Sequence, residues 1–375
     1  MLSILIVAVL FAGLYLIIVC SATIQWQRDS TLVHAHAEIK KVSIVVIARN
    51  EEQSIRACLQ SISDNIYNNQ DYEIILMDDH SDDRTVAIAE SLDIDNLRVL
   101  KLEDYDLQAF SKSYKKAGQY YAIKESKYDI ILQTDADCIC LPTWIADMTD
   151  AMIDHEIVTG PILIKGDDSF LSRWQTFENI GTMVVTYAGI RSKLWQSANA
   201  ANMIYSKRVY QEYSEMMDTS MASGDDIFLI NWAHENGRAI GYNNAASTIV
   251  ETKAEVGFSN LFDQRLRWAT KTKRYSFLGL KMLMSGFFLF HFLIVLLGFS
   301  AIIWSTLFLK SFLIVLLAKW IGDIILLVFC APFFKERYSL TLSPAFSIAH
   351  TFYVVVIGIS GVLLDNYKWK GRRVR

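Results

Sequence analysis

Twenty consecutive residues without a charge, Met1–Cys20, begin this chain. As a helix rising ~1.5 Å per residue they reach about 30 Å, the thickness of one hydrocarbon core. A cleaved signal peptide is the rival reading, but it needs a positive n-region and a small-residue cleavage site. The first positive residue is Arg28, and Val19-Cys20 is a poor lipoprotein-type site. Residues 1–21 are therefore expected to be a transmembrane anchor. Two long apolar stretches, Phe287–Leu309 and Ser311–Phe334, follow near the other end, and Lys310 separates them. They read as a hairpin of two spans. Lys319 and Asp323 lie inside the second at i,i+4 spacing, where they can pair on one helix face and neutralise each other. Ala345–Leu364 is a third stretch.

Charge separates these segments from the middle of the chain. Residues 284–375 hold nine Lys/Arg and three Asp/Glu, net +6; the whole chain is −4, so residues 1–283 carry −10. That balance excludes a basic nucleic-acid binder, and 52% apolar residues exclude a disordered chain. The expected organisation is an anchor at 1–21, an acidic domain at 40–282, a membrane region at 285–366 with two or three segments, and a basic tail at 367–375. Arg265, Arg267, Lys271, Lys273, Arg274 and Lys281 crowd the entrance to the hairpin, and Lys335 and Arg337 follow its exit. The positive-inside rule puts both places, and the domain, in the cytoplasm. The tail Lys368–Arg375 has five more Lys/Arg. A full third span would put it outside, so either the rule fails there or Ala345–Leu364 is re-entrant or interfacial.

The five cysteines suggest no disulfide framework. Cys138 and Cys140 form CxC, which lacks the usual zinc spacing, and a reduced domain fits.

The domain alternates strand and helix patterns. Strands are expected at Val42–Ala48, Tyr72–Met77, Leu97–Leu100 and Ile130–Thr134. Helices are expected at Glu52–Ile62, Thr85–Leu92, Tyr114–Ser126 and Trp144–Ile153. This order predicts an α/β domain with a parallel sheet and helices on both faces, with ligands at the carboxyl ends of the strands. Polar residues cluster at those ends. Arg49-Asn50-Glu51-Glu52 follows the first strand, Asp78-Asp79-His80 the second and Asp135-Ala136-Asp137 the fourth. The first strand lacks a GxGxxG after it, which counts against a dinucleotide oxidoreductase.

Each motif has a bland reading beside the chemical one. In an extended chain, Asp135 and Asp137 point the same way and make a hard oxygen site for Mg²⁺ or Mn²⁺; alternatively they are a solvated turn. Asp78-Asp79 can accept from a base or ribose, or cap the next helix; Asp82 or Asp83 suits the cap better, which leaves Asp79 for a ligand. In Gly224-Asp225-Asp226 a carboxylate is a general base or a cap. Gln264-x-x-Arg267-Trp268 presents an amide, a guanidinium and an indole on one helical face, either for a diphosphate and a sugar ring or as an interfacial belt. Lys112, Lys115 and Lys116 bring charge to a phosphate or only solvate a helix.

Taken in order, Val42-Ser-Ile-Val-Val-Ile-Ala-Arg-Asn-Glu-Glu52, Asp78-Asp79, Asp135-Ala-Asp137, Gly224-Asp-Asp226 and Gln264-Arg-Leu-Arg-Trp268 resemble the membrane-bound family 2 glycosyltransferases, the group of cellulose, chitin and hyaluronan synthases. The resemblance covers roughly residues 42–275. Trp369-Lys370-Gly371-Arg372 is similar to the tail of many such proteins. It implies a GT-A fold (Rossmann-like, mostly parallel sheet), between an N-terminal transmembrane helix and C-terminal ones. It also implies inverting transfer from a nucleotide-diphospho-sugar. By the resemblance, Asp226 is the catalytic base. Asn50, Glu52, Asp79, Lys115, Lys116, Asp135 and Arg267 bind the nucleotide-sugar, Gln264 and Trp268 bind the acceptor, and Asp137 with Asp135 holds Mg²⁺ or Mn²⁺. The implied partners are the donor, a lipid or growing glycan as acceptor, and membrane lipids, with no nucleic acid. The implied location is a bacterial plasma membrane with the domain cytoplasmic. The membrane part is small for a polymer channel, so a lipid acceptor stands beside a processive polysaccharide synthase.

Other classes fit less well. A haloacid-dehalogenase phosphatase needs Thr or Val where Cys138-Ile139 stands, and its motif ends the first strand. A non-catalytic nucleotide-sugar-binding protein usually lacks one of the carboxylates that are all present here. A transporter needs more spans and a repeat.

Overall fold

The structure, a computed structural model, describes residues 2–29, 40–110, 113–221, 224–304, 306–337, 341–364, 367–369 and 372–374. Lys112, one of the lysines singled out by sequence, lies outside them, as do Lys370, Gly371 and Arg375.

After helix α1 (Leu2–Asp29), the expected alternation is present. The order is β1 (Val42–Ala48), α2 (Ile55–Ser63), β2 (Tyr72–Asp78), α3 (Thr85–Glu90), β3 (Leu97–Lys101), α4 (Tyr114–Glu125), β4 (Ile130–Asp135), β5 (Ile139–Cys140) and α5 (Trp144–Asp150). β1 and β2 are β-branched and aliphatic runs because the sheet is covered on both faces; six of seven residues of β1 and all seven of β2 are buried. β6 (Ile157–Thr159), β7 (Ile162–Lys165), α6 (Phe170–Ser192), β8 (Met203–Ser206), α7 (Lys207–Ser214), α8 (Asp225–Glu235), β9 (Ile240–Tyr242), β10 (Val250–Lys253) and α9 (Phe258–Ala269) complete the domain.

The main sheet runs β3-β2-β1-β4-β8-β6-β9, and β5-β10-β7 form a smaller one. β1 pairs in parallel with β2 and with β4, whereas β8 is antiparallel to β4 and β6. The sheet is thus mostly parallel, of GT-A type. Its connections reverse between β1 and β4, the switch point where such sheets open a crevice beyond their carboxyl ends.

The chain goes on through α10 (Leu278–Ile303), α11 (Thr306–Phe329), α12 (Ser343–Leu363) and the antiparallel pair β11 (Tyr367–Trp369) and β12 (Arg372–Val374). α1, α10, α11 and α12 are each long and apolar enough to cross a membrane. Two expectations need correction. The hairpin does not break at Lys310: α10 ends at Ile303 and Lys310 lies inside α11. Lysine is a good helix former whose stem lies along apolar surface while its ammonium snorkels outward, so near a helix end it need not stop the helix. Likewise α10 begins at Leu278, ahead of the apolar stretch and inside the range expected for the soluble domain.

Aromatic contacts join α1 to the domain, and polar ones join α1, α11 and α12 to one another. Trp26 of α1 is fully buried against Tyr187 of α6, Tyr242 of β9, and Phe333 and Phe334 after α11. Lys319 and Asp323 do pair on one face of α11. Asp323 also accepts from Tyr15 Oη of α1 at 3.4 Å and from Ser347 Oγ of α12. Removing one member of a buried ion pair leaves an uncompensated charge, at a cost of about 3–5 kcal/mol. Lys319→Met is therefore expected to lower the thermal unfolding temperature in detergent sharply. Lys319→Met combined with Asp323→Leu should recover most of that loss.

Candidate active site

The carboxyl ends of β1, β2 and β4 face a cleft whose other wall is α9. Beyond β2, Asp79 is fully buried. Its amide donates to Ala48 O at 2.8 Å, His80 Nδ1 lies 3.0 Å from its carboxylate, and Arg49 Nη1 donates to Asp79 O at 2.8 Å. The N-cap of α3 is Arg84, not Asp82 or Asp83, but Asp83 just before it accepts from Thr85 N at 2.8 Å through Oδ1.

Two cavities, of about 580 Å³ and about 1220 Å³, meet in this cleft, and Lys115, Asp135, Asp137, Gln264 and Arg267 line both. The smaller one reaches Arg49 and Asp79. The larger one passes Asp226, Trp268 and Lys271 and then runs between α6, α10 and α12, against Leu283, Phe287, Phe288, Ile357 and Val362.

The two carboxylates of Asp135-x-Asp137 are not placed by extended chain, as the spacing predicted. β4 ends on Asp135, and a turn with Cys138 N donating to Asp135 O at 3.1 Å follows. Both still face the cleft. Asp135 pairs with Lys115 Nζ at 2.9 Å. Burial alone pushes the Lys115 pKa down, but Asp135 and then Asp225 outweigh it and hold the ammonium above the ordinary lysine range. Asp137 makes no ion pair among the described residues.

Asp226 is set by a glycine. Gly224 stands before α8 at φ +99, left-handed backbone that disfavours any side chain, and a Cβ there would meet the Phe228 ring at 2.6 Å. The chain then turns Asp225 inward and Asp226 toward the larger cavity. Burial raises the Asp225 pKa, with Lys116 and Lys115 opposing. Asp226 Oδ2 accepts from Ala200 N at 3.3 Å and has no ion pair among the described residues.

α9 supplies the opposite wall. Gln264 Nε2 donates to Glu255 Oε1 at 2.9 Å, and its Oε1 is buried without a partner among the described residues. The Arg267 guanidinium is likewise without a hydrogen bond or ion pair there. Trp268 is covered by the Arg265 guanidinium, 4.2 Å from its ring centroid, which in turn pairs with Glu178 of α6 at 2.9 Å.

Three residues expected from sequence stand apart from the two cavities. Lys116 is buried behind the cleft, donating to Asp218 O at 2.7 Å with its ammonium over the Phe228 ring. Burial lowers its pKa while Asp225 and Asp218 oppose. Adjacent helix residues point about 100° apart, so only one of Lys115 and Lys116 can face the cleft. Asn50 closes the loop after β1, bonding Ser81 and Asp82. Glu52 pairs with Arg84 at the surface. Conversely, Lys271 was read only as part of a basic cluster, yet it lines the larger cavity beside Asp226. Burial, aided by Arg267 and opposed by Asp226, pushes its pKa down to about 8.

Asp135 and Asp137 fit a divalent cation by donor chemistry, since carboxylate oxygens suit Mg²⁺ and Mn²⁺. Among the described residues no group of three or more His, Cys, Asp or Glu stands together as a cage, so further ligands would have to come from a bound diphosphate or water.

Known proteins resemble this chain in sequence and in fold. Residues 43–214 match the family described as Glycosyl transferase family 2. Glycosyltransferase AglE of Haloferax volcanii is 23% identical over 209 residues, 54% of this chain and 64% of that protein, so the chain spans a little under two thirds of that relative's length. A solved structure described as the mannosyltransferase PcManGT from Pyrobaculum calidifontis, in complex with GDP-Man and Mn²⁺, overlays with TM-score 0.54. It is 13% identical and covers 96% of this chain and 99% of its own. S. aureus TarS 1–349 with UDP overlays at TM-score 0.42 and 16% identity, over 89% and 95% of the two chains. The likeness to PcManGT is one of fold. The family match, over a little under half of the chain, falls on the part that carries the parallel strands of the sheet and the cleft: residues 43–214 are similar to glycosyl transferase family 2.

Proposed function

We propose that this protein transfers a sugar, with inversion, from a nucleotide-diphospho-sugar to a lipid acceptor at the membrane face of the domain. One observation carries this reading: Asp137 and Arg267, which line both cavities, and Asp226, which lines the larger one, make no ion pair among the described residues where a polar cavity at the sheet meets an apolar one among the membrane helices. Unpaired charges at such a junction are costly for stability and useful for chemistry.

The nucleotide lies in the smaller cavity, with Asp79 toward the base or ribose. The diphosphate lies between Arg267, Lys271 and the Asp135-Asp137 pair. A divalent cation bound there supplies charge neutralisation to the leaving diphosphate. Lys115 holds the Asp135 carboxylate toward the cleft. Asp226 takes the proton from the acceptor hydroxyl, whose oxygen attacks the anomeric carbon opposite the diphosphate. Arg267 stabilises the charge that grows on the leaving group, and Trp268 holds the acceptor in line. The apolar wall of the larger cavity favours a lipid acceptor over a growing glycan. The domain faces the cytoplasm, in keeping with Lys335 and Arg337 beside it.

The test is a donor screen with the full-length purified protein, beginning with GDP-mannose and UDP-sugars, with and without Mn²⁺. Asp226→Asn is expected to lower kcat about 10²–10⁴-fold, the usual worth of a general base, while donor binding persists. Turnover at the native rate would remove Asp226 from that role. Asp137→Ala should abolish the response to Mn²⁺.

Lys271 generates a pH signature. It loses its proton as pH rises through about 8, so donor affinity should fall between pH 7 and 9 and stay flat in Lys271→Met, read as Kd by calorimetry. The stability sign is opposite. The unfolded chain keeps the proton to about pH 10.4, so the folded state gains stability relative to Lys271→Met as pH rises across that window.

A further inference from the structure

Glu255 lies between β10 and α9, outside every motif read from the sequence, and its backbone is held on both sides. Gln175 of α6, wholly buried, donates through Nε2 to Glu255 O at 2.9 Å and accepts from Glu255 N at 2.9 Å through Oε1. One residue earlier, Ala254 N donates to Lys165 O of β7 at 3.0 Å. Gly257, at φ +83, then turns the chain into α9 through left-handed backbone that favours glycine. Glu255 is thereby tied to the smaller sheet and to α6. Its side chain reaches on to α9, where Gln264 Nε2 donates to Glu255 Oε1 at 2.9 Å.

That bond decides which way the Gln264 amide points. An amide has a donor end and an acceptor end of nearly equal shape, so the chemistry of its partner selects between them. A carboxylate only accepts. The amino end of Gln264 must therefore face Glu255, and the carbonyl end faces away from it. Gln264 lines both cavities of the cleft, yet its Oε1 is buried without a hydrogen-bond partner among the described residues. A buried acceptor in that state requires a donor.

Charge and valence select that donor among the groups that glycosyl transfer brings to the junction. A diphosphate at Arg267, three residues along the same helical face, offers oxygen acceptors only and would repel a carbonyl oxygen. The attacking acceptor hydroxyl has one proton, and that proton goes to Asp226. The transferred sugar carries several hydroxyls. It hangs from the diphosphate and must extend toward Asp226, along the junction that Gln264 lines.

We propose that Glu255 is a positioning residue for the donor: by holding the Gln264 amide, it presents Oε1 to a hydroxyl of the transferred sugar. This rests on the glycosyl-transfer reading above and adds a specificity element to it. The donor sugar must carry an O–H group at that point, because a sugar without one leaves the buried oxygen unpaired. Gln264 thus serves the donor sugar, rather than the acceptor to which the family resemblance assigns it.

The test measures binding of GDP, GDP-mannose, UDP and UDP-glucose to the full-length purified protein by calorimetry, with Mn²⁺ and without acceptor. The readout is the ratio of Kd for a nucleotide to Kd for its nucleotide-sugar. Glu255→Gln keeps the shape but turns either end of its amide toward Gln264. It also removes a charge near the diphosphate, which shifts both affinities together and cancels in the ratio. Gln264→Met removes the oxygen itself. Each variant should lower the ratio about three- to tenfold, the worth of one neutral hydrogen bond. Gln264→Met weakening nucleotide and nucleotide-sugar equally would make Gln264 a diphosphate ligand. Gln264→Met leaving both unchanged while the acceptor KM rises would make it an acceptor ligand. Either result overturns the proposal, and so does a Glu255→Gln ratio equal to the parent's. A parent protein that binds none of the four probes removes the glycosyl-transfer reading itself, and this inference with it.

Discussion

The Arg265 guanidinium joins three parts of the molecule. It pairs with Glu178 of α6, stacks on Trp268 of its own helix and lies 5.9 Å from the Tyr353 ring of α12. Both charges are almost wholly removed from water, 1% and 10% exposed. A pair in that environment holds its geometry, because separating it strands a charge. The orientation of α9 follows, and with it the direction of Gln264, Arg267 and Trp268. The same pair seats α12 against the domain. The wall of the cleft and the wall of the apolar cavity therefore depend on one ion pair, contributed by residues 87 positions apart.

Charge in the cleft is arranged by contrast with that pair. Lys115 is matched to Asp135 and Lys116 is sunk behind it, so the cations nearest the sheet are already engaged. Asp137, Asp226 and Arg267 make no close ion pair among the described residues, although Lys271 lies beside Asp226. In an acidic domain, an anionic diphosphate needs cations at close range. Arg267 and Lys271 come from α9 and the turn that follows it, on the approach to the membrane.

The membrane helices show how similar composition leads to different placement. α1 and α11 lie side by side and share the Tyr15–Asp323–Lys319 contact, while α12 packs on α9, α10 and α11. Hydropathy measures only how willingly a helix leaves water. It does not distinguish lipid on all sides from lipid on one side and protein on the other.

Much of this was legible in advance. The β-branched runs at Val42–Ala48 and Tyr72–Met77, with carboxylates and Arg49 at their ends, specify buried parallel strands and polar termini through local chemistry. The later strands were not anticipated, since β6, β7 and β9 are three or four residues long and carry no periodicity to read. Asn50 and Glu52 were expected at the ligand, yet they hold a loop and a surface pair; Lys271 was expected only as an orienting charge. By itself the sequence determined the α/β order, the acidic middle and the apolar segments, because burial pattern and hydropathy are properties of neighbouring residues. Only the tertiary structure decided which lysine faces the cleft, which carboxylates make no ion pair among the described residues and which helices wall the larger cavity. Those depend on contacts between residues far apart in the chain, and no local pattern encodes them.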